Sequence, residues 1–244
     1  MRLLEEELRI PGPATGQHIR AVVLRPHGPA SWPGIVLYSD IFQLTASTLR
    51  TARRFASAGL VVCVPEIYPH GQLAGVALPF DDAGKAAGQA GADATTTAQF
   101  DADRDAVLTY LQARPDTTGL GAVGFCLGGH LALRAALDDR VGATACFSPP
   151  GVHDGRLGAD PDAGTLGQLA SVRGRLMLVF GAADPHVPGP ARSQIIAALD
   201  RAGLAAELHV YDAEHAFMRD EGPRHDPALT DAALAAGVAF LTRG

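Results

Sequence analysis

The chain has 244 residues, 47% hydrophobic and 19% charged, with 26 acidic side chains against 20 basic ones. A disordered chain needs few apolar residues and a high charge, and this one has neither. The net charge of −6 argues against a broad basic footprint for nucleic acid. The length suits one large α/β domain over residues 1–244, built on one core. No run approaches the roughly 18 uninterrupted apolar residues of a membrane helix. Glu5, Glu6 and Glu7 stand where a secretory signal needs an apolar run, so a cytoplasmic location is expected. Cys63, Cys126 and Cys146 form an odd set without CxxC spacing, which points to reduced thiols.

In chain order, Leu3–Ile10 and His18–Arg25 read as strands of an antiparallel hairpin, joined through Pro11–Gly16. Ile35–Tyr38 is a short buried strand. A helix near Ala46–Ala58 follows, with Leu49, Ala52, Phe55 and Ala56 on one face, and Gly59 ends it before the strand Leu60–Val64. Gln72–Thr97 is rich in Ala and Gly and reads either as a flap over a site or as a poorly ordered crossover. A helix near Asp101–Ala113 opens with Asp101, Asp103 and Asp105, which suits a helix N-terminus. Strands are expected at Gly119–Gly124, Gly142–Phe147, Leu176–Phe180 and Glu207–Tyr211. Helices separate or follow them at Leu127–Leu137, Gly189–Arg201 and Pro227–Leu241, and Ser148–Val172 is a second long excursion. Apolar strands alternating with amphipathic helices imply a mostly parallel sheet covered on both faces, with chemistry at its carboxyl edge.

The sharpest motif is Gly124-Phe125-Cys126-Leu127-Gly128-Gly129, between an apolar strand and an Ala/Leu-rich helix. It reads as a G-x-C-x-G nucleophile elbow, a strained turn that exposes its central side chain. A helix N-terminus lowers a thiol pKa, and the Leu127 amide can donate to an oxyanion. Standing alone, the motif also fits a buried structural cysteine in a glycine turn. Gly181-Ala182-Ala183-Asp184-Pro185 puts a carboxylate after the next-to-last strand, and Glu214-His215-Ala216-Phe217 puts a histidine after the last. The order nucleophile, acid, histidine is that of α/β-hydrolases, with His215 as base and Asp184 fixing its tautomer.

These motifs, GFCLGG, GAADP and EHAF, resemble those of the dienelactone hydrolase family, and the likeness runs over nearly the whole chain. Pro65-Glu66-Ile67-Tyr68 is similar to a segment of that family. The resemblance implies an α/β-hydrolase fold, a cysteine nucleophile and a lactone substrate. Asp40-Ile41-Phe42 lies where the family carries an acid that contacts the cysteine and is displaced by substrate, followed by an isoleucine whose amide serves the oxyanion hole. Asp40 has glutamate's place there with one methylene less, and it reads equally as a cap for the following turn. Arg219 stands where the characterised lactone hydrolases hold an arginine for the substrate carboxylate. Their second such arginine has no counterpart, because Gln72–Phe100 contains only Lys85 as a base.

The expected protein is a cysteine-dependent hydrolase of a small lactone or activated ester, with Cys126, Asp184 and His215 as triad. Ile41 and Leu127 supply the oxyanion amides, Asp40 is the acid near the nucleophile, and Arg219 binds substrate. No metal or organic cofactor, nucleic acid or membrane is called for, and a monomer or small homo-oligomer is expected. His70 and His186 read as rim residues rather than ligands. Cys63 and Cys146 read as core thiols. An esterase or thioesterase on another small substrate, or a non-catalytic binder on the same fold, are the alternatives.

Overall fold

The computed structural model describes residues 1–243. Eight strands form one sheet: β1 (Leu3–Pro11), β2 (His18–Pro26), β3 (Trp32–Tyr38), β4 (Val61–Pro65), β5 (Thr117–Phe125), β6 (Val141–Phe147), β7 (Arg175–Gly181) and β8 (Ala206–Tyr211). Their spatial order is β1-β2-β4-β3-β5-β6-β7-β8. The β1–β2 and β2–β4 pairs are antiparallel and all the others parallel, as the alternation of apolar strands and helices requires. Six helices flank it: α1 (Ala46–Ser57), α2 (Asp82–Asp93), α3 (Thr97–Gln112), α4 (Leu127–Ala135), α5 (Gly189–Arg201) and α6 (Pro227–Thr242). Each sheet face buries its own apolar core. One holds Val107, Leu108 and Leu111 of α3, Leu131 and Leu133 of α4 and Ile195 of α5. The other holds Ala52, Phe55 and Ala56 of α1 with Leu234, Phe240 and Leu241 of α6.

The Ala/Gly-rich stretch after β4 is not a structureless crossover, because it contains α2. Glycine lowers helix propensity, but here it permits contacts that any other residue would block. A Cβ on Gly88 would lie 2.5 Å from the Ile41 carbonyl oxygen, and one on Gly84 would lie 2.0 Å from that of Pro79. The next helix also starts earlier than its aspartates suggest. Thr96 and Gln99 form a capping box, so α3 begins at Thr97 and Asp101 falls in its second turn. Asp101 instead binds Arg134 of α4 through both carboxylate oxygens. Within Ser148–Val172 a short 3-10 helix, Leu166–Ser171, is the regular element that periodicity did not reveal.

The registers put the carboxyl ends of the central strands side by side. Tyr38 pairs with Gly124, Gly124 with Cys146, and Phe125 with Phe147. The turn from β5 into α4 is crowded, and three glycines make room for it. A Cβ on Gly124 would lie 1.8 Å from the Gly128 carbonyl, and one on Gly128 would lie 2.2 Å from the Ser39 oxygen. Gly129 is similarly close to the Phe147 oxygen, at 2.7 Å. All the obstructing atoms are backbone, so no rotamer change relieves the clash. Gly128→Ala should therefore lower stability by at least about 3 kcal/mol in thermal or urea unfolding. Gly119→Ala, which meets nothing within 4 Å, should be near neutral.

Candidate active site

Cys126 caps α4 with φ 56° and ψ −127°, a conformation that side-chain-bearing residues rarely adopt. It is held there from both sides: its N–H donates to Phe147 O at 3.0 Å, and its carbonyl accepts from Gly129 N at 2.7 Å. Gln43, Ser148 and Ala216 are the other non-glycine residues with positive φ among those described. Cys126, Ser148 and Ala216 line one cavity of about 50 Å³, together with Ser39, Asp40 and Arg219. Backbone strain of this kind persists only where surrounding contacts over-determine it. Here it is concentrated where the strand ends meet.

Asp184 and His215 come from neighbouring loops that the β7–β8 pairing brings together. Ala183 N donates to Ala213 O at 3.0 Å, and a Cβ on Gly181 would stand 2.4 Å from that same oxygen. Glycine at that position lets the two loops close. His215 Nδ1–H then donates to Asp184 Oδ2 at 2.8 Å, with both side chains almost fully buried. The other Asp184 oxygen accepts the His186 amide at 2.8 Å. Burial pushes the Asp184 carboxyl up, but the bonds from His215 and His186 more than reverse it, leaving its pKa below the usual value. Burial likewise opposes charge on His215. Its neighbours Cys126 and Asp184 overcome it and push His215 up to about 10.

The two cysteines expected in the core are fully buried and free. Burial pushes the Cys63 thiol up to about 12 and raises that of Cys146 as well. The sequence groups Asp40 with Cys126. In the structure the Asp40 hydrogen bonds go elsewhere. Oδ1 accepts Phe42 N at 2.9 Å, the turn cap that its position also suggested, and Oδ2 accepts Arg219 Nε at 2.9 Å and Nη2 at 2.6 Å. The Arg219 guanidinium also packs on Phe42 and Phe80, 4.7 and 4.8 Å from their ring centroids. The backbone N–H groups of Ile41 and Leu127 have no acceptor among the described residues. Such free donors beside a thiol suit a developing oxyanion.

His186 lies at the rim, its ring edge-on to His215 with centroids 4.6 Å apart. His70 is far from a metal set: it pairs with Asp103 at 2.9 Å, and no group of three or more metal-ligating side chains occurs among the described residues. Sequence reasoning missed the hydroxyls of Ser47, Thr48 and Thr51, which α1 turns toward the cavity. It also missed His130, fully buried on α4, which bonds Pro150 O at 3.1 Å and Thr165 Oγ1 at 2.9 Å. A lone histidine inside an apolar helix carries no sequence signal for that role. Among the described residues, no helix is long and apolar enough to cross a membrane.

Comparison with known proteins gives the chain its family. The model of the dienelactone hydrolase family matches residues 19–243. A putative carboxymethylenebutenolidase of Saccharomyces cerevisiae is 37% identical over 213 residues, spanning 84% of this chain and 78% of that protein. A carboxymethylenebutenolidase of a Pseudomonas species is 28% identical over 214 residues, spanning 86% and 84%. Among solved structures, a putative dienelactone hydrolase from Klebsiella pneumoniae superposes with a TM-score of 0.79 at 20% identity, covering 100% of both chains. With the family model spanning nearly the whole sheet and every strand end described above, the chain belongs to the dienelactone hydrolase family and is a hydrolase of that type.

Proposed function

We propose that the protein is a cysteine-dependent hydrolase that opens a small lactone or cleaves a small activated ester. The observation that carries this reading is the buried Asp184–His215 hydrogen bond beside Cys126, with the His215 pKa raised by both neighbours. The Cys126 sulfur attacks the carbonyl carbon, and the C=O electron pair moves onto oxygen, where the Ile41 and Leu127 amides receive it. Collapse expels the ring or ester oxygen, which takes its proton from His215 and leaves a thioester. Water then attacks, His215 takes the water proton, and collapse returns the thiolate and a carboxylic acid. An enol or aryl oxygen is a stable leaving group, so a thiolate suffices where an alkyl ester or peptide demands more. A pure binder has no use for a cysteine at a strained turn beside a histidine that is buried against a carboxylate.

Substrate charge follows from the Asp40–Arg219 pair. A bidentate guanidinium–carboxylate pair contributes about 1.5–3 kcal/mol. A substrate carboxylate reaches Arg219 only by competing with Asp40, so the preference for acidic over neutral substrates is modest. On a matched acid and methyl ester, Arg219→Ala should raise KM for the acid alone. Asp40→Asn keeps the turn bond to Phe42 and releases Arg219, so it should lower KM for the acid by roughly tenfold. Equal changes on both substrates would make the pair purely structural.

The triad is tested by labelling and by titration. Cys126 should be the thiol that iodoacetamide modifies in folded protein, with activity lost in proportion, since the other two thiols are buried and raised. Alanine at Asp184, His215 or both should cost activity by orders of magnitude without adding up. His215 should titrate near 10 by NMR, and Cys126→Ser should move that titration down toward its ordinary value of 6.5, since burial then loses its largest opponent. The sign for stability follows. A raised histidine pKa contributes stability that is complete below pH 6.5 and lost as pH rises through about 10. The alkaline loss should be weaker in Cys126→Ser.

A further inference from the structure

Gln43 is fully buried, with φ 67°, in the loop between β3 and α1. A glutamine with positive φ is uncommon and costs of order 1 kcal/mol or more. Its side chain makes every hydrogen bond its geometry allows. Nε2 donates to Leu73 O at 2.9 Å and Val76 O at 2.8 Å, while Oε1 accepts Ile67 N at 3.2 Å and Tyr68 N at 3.1 Å. Two carbonyls on one side and two amides on the other leave only one amide orientation satisfied. The backbone of the same residue is equally committed. Its N–H donates to Asp40 O at 3.1 Å, and its carbonyl accepts Thr45 N at 2.8 Å and Thr48 Oγ1 at 3.2 Å.

One residue therefore joins three pieces: the Asp40–Phe42 loop, the N-terminus of α1, and the segment that runs from β4 toward α2. Neighbouring contacts close the same unit, since Leu78 N donates to Phe42 O at 3.0 Å and Gly88 of α2 lies against the Ile41 carbonyl. We propose that Gln43 is the positioning residue of the oxyanion loop, fixing the Ile41 amide relative to Cys126 and tying it to the segment that runs from β4 toward α2. It touches no substrate and acts through Ile41. The proposal rests on the reading of Cys126 as nucleophile and Ile41 as oxyanion donor.

Two variants separate positioning from folding. Gln43→Gly retains the freedom to adopt positive φ but removes the four side-chain bonds. Gln43→Glu keeps the shape but turns a carboxylate oxygen toward the Leu73 and Val76 carbonyls. Iodoacetamide titration of Cys126 counts intact sites, so turnover is expressed per reactive thiol. Two probes are then compared: the iodoacetamide rate, which needs the thiolate but no oxyanion hole, and affinity for an aryl trifluoromethyl ketone. The ketone adds the Cys126 sulfur at its carbonyl carbon and moves the electron pair onto oxygen, so it reads the hole directly. Both variants should lose about tenfold to hundredfold in kcat per site and in ketone affinity, with the alkylation rate unchanged. Unchanged kcat per site and ketone affinity, even with fewer sites or a lower Tm, would overturn the positioning role. Wild-type hydrolysis that survives complete alkylation of Cys126 would overturn the nucleophile reading instead, and with it this proposal's premise.

Discussion

Everything at the carboxyl edge of this sheet depends on backbone meeting backbone without a side chain between. At Gly124, Gly128 and Gly129 the β5–α4 turn passes so close to the ends of β3 and β6 that a single Cβ would overlap a carbonyl oxygen. That proximity presses Cys126 into its left-handed conformation and points the amino end of α4 at the cavity. It also leaves the Leu127 amide free, because the first N–H groups of a helix have no partner within it. Gly181 repeats the device between β7 and β8, where it lets Asp184 and His215 close to 2.8 Å. Gly88 repeats it on α2, over the Ile41 carbonyl. Glycine here selects distance more than flexibility.

Electrostatics then divide the site into two pairs. One is His215 with Cys126, where Cys126 and the Asp184 carboxylate behind the imidazole together raise the histidine pKa. Arg219 and Asp40 form the other, packed under Phe42 and Phe80. Each pair is sheltered from water, so breaking either by removing one partner strands a charge in a poorly solvating place. The family resemblance supplies roles for all four residues. The geometry adds that the second pair is made within the protein before any ligand arrives.

The sheet, its hairpin and most helices were legible in the chain because they obey short-range periodicity. GFCLGG was legible because the fold tolerates only glycine there. Three features were hidden, two of them because contacts from distant parts of the chain decide them. Helix α2 has poor intrinsic propensity and is held by packing on Pro79 and Ile41. The start of α3 is set by a capping box that three tempting aspartates obscure. Gln43 looks like an ordinary loop residue until Ile67, Tyr68, Leu73 and Val76 close around its amide.

The four left-handed residues Gln43, Cys126, Ser148 and Ala216 follow four different strands, β3, β5, β6 and β8. None of these conformations is favourable in an isolated segment; each is imposed by neighbours contributed from elsewhere in the chain. The edge that carries the chemistry can therefore mature only after the strands have found their registers. The geometry at this edge is thus a late acquisition, separable in time from the pairing of the strands themselves.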